Sequence, residues 1–403
     1  MFIRYIQKYK SFLFIILLFV CLCVLLYIYY FFGLGDYMYS KSYEDEFDYP
    51  LNIDIKPLVS QVLAGKKPSV TPINFYPYRF LTNSGKCSTL EKLDLFIIVK
   101  SAMNNFGQRN AIRQTYGQEN LIPGTMIKIL FFLGVDTPKS ETQKKIDKEM
   151  ADFKDIIQMD FHDSYYNNTI KTMMSFRWLY EHCSTADYYL FTDDDMYISI
   201  KNLLDYVHDD AVSSNDKEVF SGYVFKSTPQ RIRSSKWRVS LEEYPWNKWP
   251  PYVTAGAYVV SNRAMKMLYA GSLFVKNFRF DDIYLGIVAR KVGIEPVHCP
   301  NFHFYKKSYS TNGYKDVIAC HGYGDPEDSN GMGEERVALA HMQLGRNGSE
   351  TLGGRIRMLV VAIQSGDRSP TTKGVLGYSA LTRCSAEGNC ILTRPLTGRN
   401  YYL

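Results

Sequence analysis

The uncharged run from Phe12 to Phe32 constrains this chain more than any other feature. A bilayer core about 30 Å thick needs roughly 20 apolar residues at 1.5 Å rise per residue, so the run is long enough to span. Arg4, Lys8 and Lys10 precede it, whereas Asp36, Lys41, Glu44, Asp45, Glu46 and Asp48 follow. That bias predicts a cytoplasmic tail over 1–11, a signal anchor over 12–32 and a single-pass type II topology, with everything later across the membrane. The alternative is a cleaved signal peptide with Gly33-Leu34-Gly35 as the small-x-small site. The run is longer than the apolar core of such peptides usually is, which favours the anchor.

The rest of the composition fits that compartment. Eight cysteines are present, of which Cys21 and Cys23 lie in the span. Across the membrane, disulfides are permitted among Cys87, Cys183, Cys299, Cys320, Cys384 and Cys390, and spacing does not say which pair. Two sequons, Asn167-Asn168-Thr169 and Asn347-Gly348-Ser349, are compatible with the same side. A net charge of +6 over 403 residues is too mild for a nucleic-acid binder.

Residues 33–92 are acidic and Tyr-rich, then Pro-punctuated, with no sustained periodicity, and are expected to form an irregular stem. From Leu93 the pattern changes. Leu93–Val99, Ile127–Val135, Ile156–Phe161 and Tyr188–Thr192 read as buried strands. Ser140–Met150, Thr169–His182 and a stretch near Ile200–Val207 read as helices between and after them. This alternation predicts an α/β fold around a mostly parallel sheet, whose ligands bind beyond the carboxyl ends of the strands.

One such end carries Asp193, Asp194 and Asp195. In an extended chain residues i and i+2 point the same way, so Asp193 and Asp195 are expected to face one side together. Two hard oxygen ligands there suit Mg²⁺ or Mn²⁺, which also takes phosphate oxygens from a substrate. The plainer reading of an Asp triplet is a solvated loop or a cap. A second cluster, Phe280-Asp281-Asp282-Ile283-Tyr284-Leu285-Gly286, reads as a helix start, or as a carboxylate held at a cleft to act as general base. Between them Trp246, Trp249, Pro250, Pro251 and Tyr252 either close a core or offer flat faces to sugars.

Taken in order, these segments resemble the β1,3-glycosyltransferases of the Golgi, the family that includes β1,3-galactosyltransferases and β1,3-N-acetylglucosaminyltransferases. Arg109-Asn-Ala-Ile112-Arg113-Gln-Thr115-Tyr116-Gly117 matches R-x-x-I-R-x-T-W-G, with Tyr116 for Trp. Residues Asp160 to Thr172 match D-F-x-D-x-Y-x-N-L-T-x-K-T, with Asn168 for Leu. Asp193-Asp194-Asp195-Met196-Tyr197 matches D-D-D-V-F, Tyr252 to Ser261 match Y-x-x-G-x-x-Y-x-x-S, and Asp281 to Gly286 match E-D-V-Y-x-G with Asp281 for Glu. The resemblance runs from about Leu93 to His321.

The resemblance implies a GT-A nucleotide-sugar transferase fold over 93–327 and an inverting transfer from a UDP-sugar to a glycan acceptor on protein or lipid. It implies Mn²⁺ held by Asp193 and Asp195, with His321 as a further ligand or else a surface His. Asp282 is the implied base, and the like charge of Asp281 should raise the pKa of one of the two. Asp193, Asp194, Arg109, Arg113 and Lys171 are candidates for the nucleotide side, a structural ion pair being the other reading for the three basic residues. The rival from another class is a non-catalytic, membrane-anchored glycan-binding or chaperone-like protein of the same fold, which would need neither the acidic triplet nor Asp282.

Residues 328–403 differ in character, with one Lys against eight Arg and 11 of the chain's 27 Gly. They read as a disordered extension or a misassembled end. Tryptic peptides from 336–403 of the native protein would exclude the second reading.

Overall fold

The computed structural model describes residues 2–87, 92–136, 140–209, 212, 218–324, 382–384 and 390–392. Helix α1 (Phe2–Phe31) contains the apolar run. By length and composition its Phe12–Phe31 stretch can cross a membrane, and none of it is buried against protein.

The central sheet has seven strands: β1 (Leu93–Lys100), β2 (Ile127–Val135), β3 (Ile156–His162), β4 (Ala186–Asp193), β6 (Phe220–Phe225), β7 (Tyr252–Ser261) and β8 (Val297–His298). Their order is β3-β2-β1-β4-β7-β6-β8. Pairings of β1 with β2 and β4, of β2 with β3 and of β6 with β8 are parallel, and only those made by β7 are antiparallel. A smaller sheet joins β5 (Met196–Ile198), β10 (Ala319–His321) and β9 (Phe302–His303). The hairpin β11 (Thr382–Cys384) and β12 (Cys390–Leu392) belongs to a separate unit, residues 348–403. The rest of the tail lies outside the described residues, as does the sequon at Asn347.

Both faces of the sheet are covered, which is why its inner strands are continuously apolar. Along β1 the two-residue period sends Phe96 and Ile98 into one core and Leu95, Ile97 and Val99 into the other. The first core receives α7 (Asn168–His182), α9 (Asn262–Ser272) and α10 (Asp281–Val292). The second receives α5 (Phe106–Gln114), α6 (Glu141–Phe153) and α8 (Ile200–Val207). Ser140, Ser199 and Ser261 cap α6, α8 and α9 by accepting from backbone N–H groups of the first turn.

Residues 33–87, expected as an irregular stem, are largely irregular and pack on the body. Residues 33–87 contain α2 (Leu34–Met38), α3 (Tyr43–Glu46) and α4 (Lys56–Leu63). Tyr49, Ile55, Leu58, Val59 and Tyr76 are buried in the first core. Leu58 and Val59 reach the core from the short α4, whereas Tyr49 and Tyr76 reach it from irregular chain that runs over the body. Tertiary packing, not local pattern, orders them.

Cys87 and Cys183 form a disulfide that closes 96 residues of chain, tying this segment to the end of α7. Cross-linking a loop of that length constrains the unfolded chain by up to about 4–5 kcal/mol, of which disulfides typically deliver about 2–4 kcal/mol. A Cys87→Ser/Cys183→Ser double variant is therefore expected to lose about that much stability in urea unfolding. An unchanged midpoint would show that the bond does not form.

Candidate active site

The carboxyl ends of β1 and β4, the turn into β5, the start of α10 and strand β10 meet at one edge of the sheet. Lys100 and Asp193, the last residues of β1 and β4, lie opposite each other in the parallel register. The Lys100 ammonium is buried, 3.1 Å from Asp193 Oδ1 and 2.8 Å from Asp281 Oδ2. Burial would lower its pKa, but the two carboxylates outweigh that and hold it well above the ordinary value. Thr172 Oγ1 donates to the same Asp281 oxygen at 2.7 Å.

Asp281 and Asp282 open the first turn of α10, where the helix dipole favours negative charge. Their environments drive them apart. Burial opposes ionisation of Asp281, yet the charge and hydrogen bond of Lys100, with that of Thr172, bring its pKa below the usual value. For Asp282, burial and then the charge of Asp281 push the carboxyl up to about 7. Its Oδ1 accepts from the Ile283 N–H at 2.8 Å. Two adjacent carboxyls with separated pKa values form the pattern of an assigned acid–base pair.

Asp193, Asp281 and Asp282 line a cavity of about 580 Å³, together with Phe225, Trp237, Trp249, Tyr252 and Phe304. Trp249 therefore serves both readings of the aromatic segment, buried in the core and lining the cavity, while Trp246 belongs to the core alone.

The acidic triplet divides three ways. Strand β4 ends at Asp193, and Asp194 and Asp195 form the turn into β5, so the alternation expected of an extended chain stops there. Burial pushes Asp193 up to about 7, with Lys100 opposing and Asp281 and Asp195 adding to the rise. Asp194 Oδ2 accepts from Ser101 Oγ at 2.6 Å and Asn105 Nδ2 at 2.9 Å, fixing the loop that follows β1. Asp195 Oδ2 lies 3.1 Å from His321 Nε2, brought there because β10 pairs with β5. Hydrogen bonding to Asp195 raises the His321 pKa against the effect of burial. The other oxygen, Asp195 Oδ1, is buried without a hydrogen-bond partner.

Among the described residues, no three or more His, Cys, Asp or Glu side chains are grouped so as to hold a metal. The donor chemistry nevertheless fits a divalent cation: an orphaned carboxylate oxygen beside an imidazole, with Asp193 close enough to feel the Asp195 charge.

The three basic candidates lie beneath this edge and do not line the cavity. All five Arg109 N–H donors are used, on Glu149, Ser101 Oγ, Ala102 O and Met103 O, leaving none for phosphate. Arg113 pairs with Glu149 and Asp155, and Lys171 with Asp163 and the Ser101 carbonyl. The expectation that they contact the nucleotide gives way to the ion-pair reading. Arg109 and Lys171 hold residues 101–103, and through Ser101 the carboxylate of Asp194, while Arg113 braces Glu149, the partner of Arg109.

Lys100, Ser101, Asn105 and Thr172 complete the site without having been singled out by any motif's chemistry. A lysine ending the apolar run Leu93–Val99 was the one legible sign. The sequon residue Asn167 precedes α7, and its amide donates to His162 O at 2.8 Å.

An α/β fold with a mostly parallel sheet, an acidic turn at its carboxyl edge and a carboxylate-bearing helix across an aromatic cavity is the arrangement expected above of a GT-A nucleotide-sugar transferase. The family model described as "Galactosyltransferase" matches residues 107–300. The β-1,3-galactosyltransferase brn of Drosophila melanogaster is 38% identical over 298 residues, covering 73% of this chain and 88% of the relative. Human β-1,3-galactosyltransferase 1 is 33% identical over 273 residues, covering 68% and 82%. Mouse lactosylceramide 1,3-N-acetyl-β-D-glucosaminyltransferase is 33% identical over 293 residues, covering 71% and 77%. A solved galactosyltransferase LgtC with donor and acceptor sugar analogs is 13% identical, covers 62% of this chain and 95% of its own, and has a TM-score of 0.31. At that score the strand topology, not the comparison, defines the fold. The chain belongs to the galactosyltransferase family of β-1,3-glycosyltransferases.

Proposed function

We propose that this protein is a single-pass type II Golgi enzyme that transfers galactose or an N-acetylhexosamine from a UDP-sugar to a glycan in β1,3 linkage, with inversion. The observation that carries the reading is the Asp282 carboxyl at an aromatic cavity, with the Lys100–Asp281 pair between it and the acidic turn; burial and the Asp281 charge push that carboxyl up to about 7. Inversion is a single in-line displacement. Asp282 takes the proton of the acceptor hydroxyl as that oxygen bonds to the anomeric carbon, and the bond to the UDP oxygen breaks on the opposite face. Phe225, Trp237, Trp249 and Tyr252 supply flat apolar faces for the sugars.

Asp195 and His321, with Asp193, are the residues that would hold Mn²⁺, whose chemistry there is to neutralise the charge gathering on the leaving diphosphate. Lys100 keeps Asp193 oriented. The full chain in detergent, given Mn²⁺ and a panel of UDP-sugars and β-linked acceptors, is expected to form a β1,3 product. Chelator, and separately Asp195→Ala, should abolish it. Absence of product from every donor refutes the reading, and activity unaffected by chelator refutes the metal.

A further inference from the structure

The first residues after the apolar helix are built into the wall of the cavity. The carbonyl of Phe31, the last residue of α1, accepts from Arg233 N at 2.9 Å, and the Arg233 guanidinium lies 4.5 Å from the Tyr30 ring. Gly33 follows with φ +65 and is buried against Arg231, where a Cβ would come within 2.5 Å of the Arg231 carbonyl oxygen. Only glycine permits that approach in that conformation. Arg231 is itself buried and donates to Val239 O, Tyr244 O and Trp246 O, so it organises the segment on which the anchor's exit rests.

The contact then continues residue by residue. Lys41 N donates to Pro245 O, Asn247 N to Lys41 O and Trp246 Nε1 to Glu46 O, and Lys248 pairs with Glu44 at 2.6 Å. The same stretch of chain supplies Thr228, Gln230, Trp237 and Trp249 to the cavity lining.

Chain geometry turns this into a height above the bilayer. Gln230 is three residues from Arg233, and each residue spans at most about 3.5 Å, so its backbone lies within roughly 13 Å of the end of α1. The headgroup layer adds about 5–8 Å to each side of the hydrocarbon core. With the end of α1 at the hydrocarbon boundary, the cavity wall therefore begins no more than about 8 Å beyond the headgroups. Tyr27, Tyr29 and Tyr30 near the end of α1, and Trp237 at the cavity, are exposed aromatics, the type that settles at a membrane interface. Lys236, 4.5 Å from the Trp237 ring, adds a positive charge beside it.

Resting on the transferase reading above, we propose that residues 31–48 lock the cleft against the membrane surface, so that the enzyme selects glycan acceptors carried on lipid in the same bilayer. An acceptor sugar attached directly to a lipid headgroup is presented at the height of the cavity. One on a long protein-borne chain must fold back to reach it.

The test uses full-length protein in phosphatidylcholine vesicles, with one acceptor oligosaccharide offered either free or attached to an embedded lipid. Twelve Gly/Ser residues inserted between Phe32 and Gly33 leave the 33–48 contacts in place but let the body rise by about 20 Å. The insertion is expected to reduce transfer to the lipid-borne acceptor at least fivefold while changing transfer to the free one less than twofold. An unchanged rate on both would overturn the proposal. Wild-type protein gives an independent measurement. With rigid spacers between lipid and sugar, the rate should fall at least fivefold once the spacer exceeds about 20 Å, a length near the reach of the inserted linker. A rate independent of spacer length overturns the proposal even if the insertion variant misfolds. Transfer to neither acceptor by wild type would instead remove the transferase reading.

Discussion

Replacing Asp282 with Asn is expected to lower kcat by about 10²–10⁴-fold, the range over which a positioned general base contributes. Asn keeps the shape and the cavity but cannot take the acceptor proton. Because burial and the Asp281 charge place the Asp282 carboxyl at about 7, the wild-type rate should also depend on pH. The base works only when ionised, so activity rises with pH and is half-maximal near 7. Below that, kcat/KM should fall about tenfold per unit, as expected when one proton inactivates the base. Asp193 is also pushed up to about 7 when no cation is bound, so the profile is taken at saturating Mn²⁺, which keeps that carboxylate ionised, and there the residual activity of Asp282→Asn should lack this limb. A variant retaining near-full rate, or retaining the limb, assigns the base elsewhere.

The second large effect is expected at Lys100. Its ammonium is the shared partner of two carboxylates in a site from which water is largely excluded, and removing one partner of a buried ion pair costs about 3–5 kcal/mol. Lys100→Met should lose stability on that scale when measured in chelator, where no added cation can substitute. The pH dependence distinguishes this from lost packing. In the wild type Lys100 holds the Asp281 pKa below its ordinary value. Without Lys100 the burial of Asp281 prevails and its folded pKa rises above the unfolded one. A carboxyl raised in this way contributes stability below its unfolded pKa and loses it as pH rises through the folded value. The variant should therefore melt further below wild type at pH 8 than at pH 5, and Asp281→Asn in the same background should restore part of the difference. A deficit equal at both pH values would point to packing alone.

The two sites differ in how much of them the sequence revealed. Asp282 is legible because its neighbours define a helix start and a motif within seven residues. Lys100 is not, since its partners are set by the parallel register of β1 with β4 and by the seating of α10, which lies 181 residues away. The basic residues misled for a related reason. Arg109, Arg113 and Lys171 have the chemistry for phosphate, and only the burial of Glu149, Asp155 and Asp163 beside them assigns their donors elsewhere.

By itself the sequence determined the apolar span, the strand–helix alternation, the two acidic clusters and the motif order, all of which depend on neighbours along the chain. Tertiary structure alone decided the Cys87–Cys183 bond, the meeting of Asp195 with His321, the lysine that divides the carboxyls, and the docking of the supposed stem. Those are contacts between distant segments. Their geometry follows from strand register and helix packing, which no local period encodes, and from desolvation, which separates the pKa values of Asp281 and Asp282 only once both are enclosed.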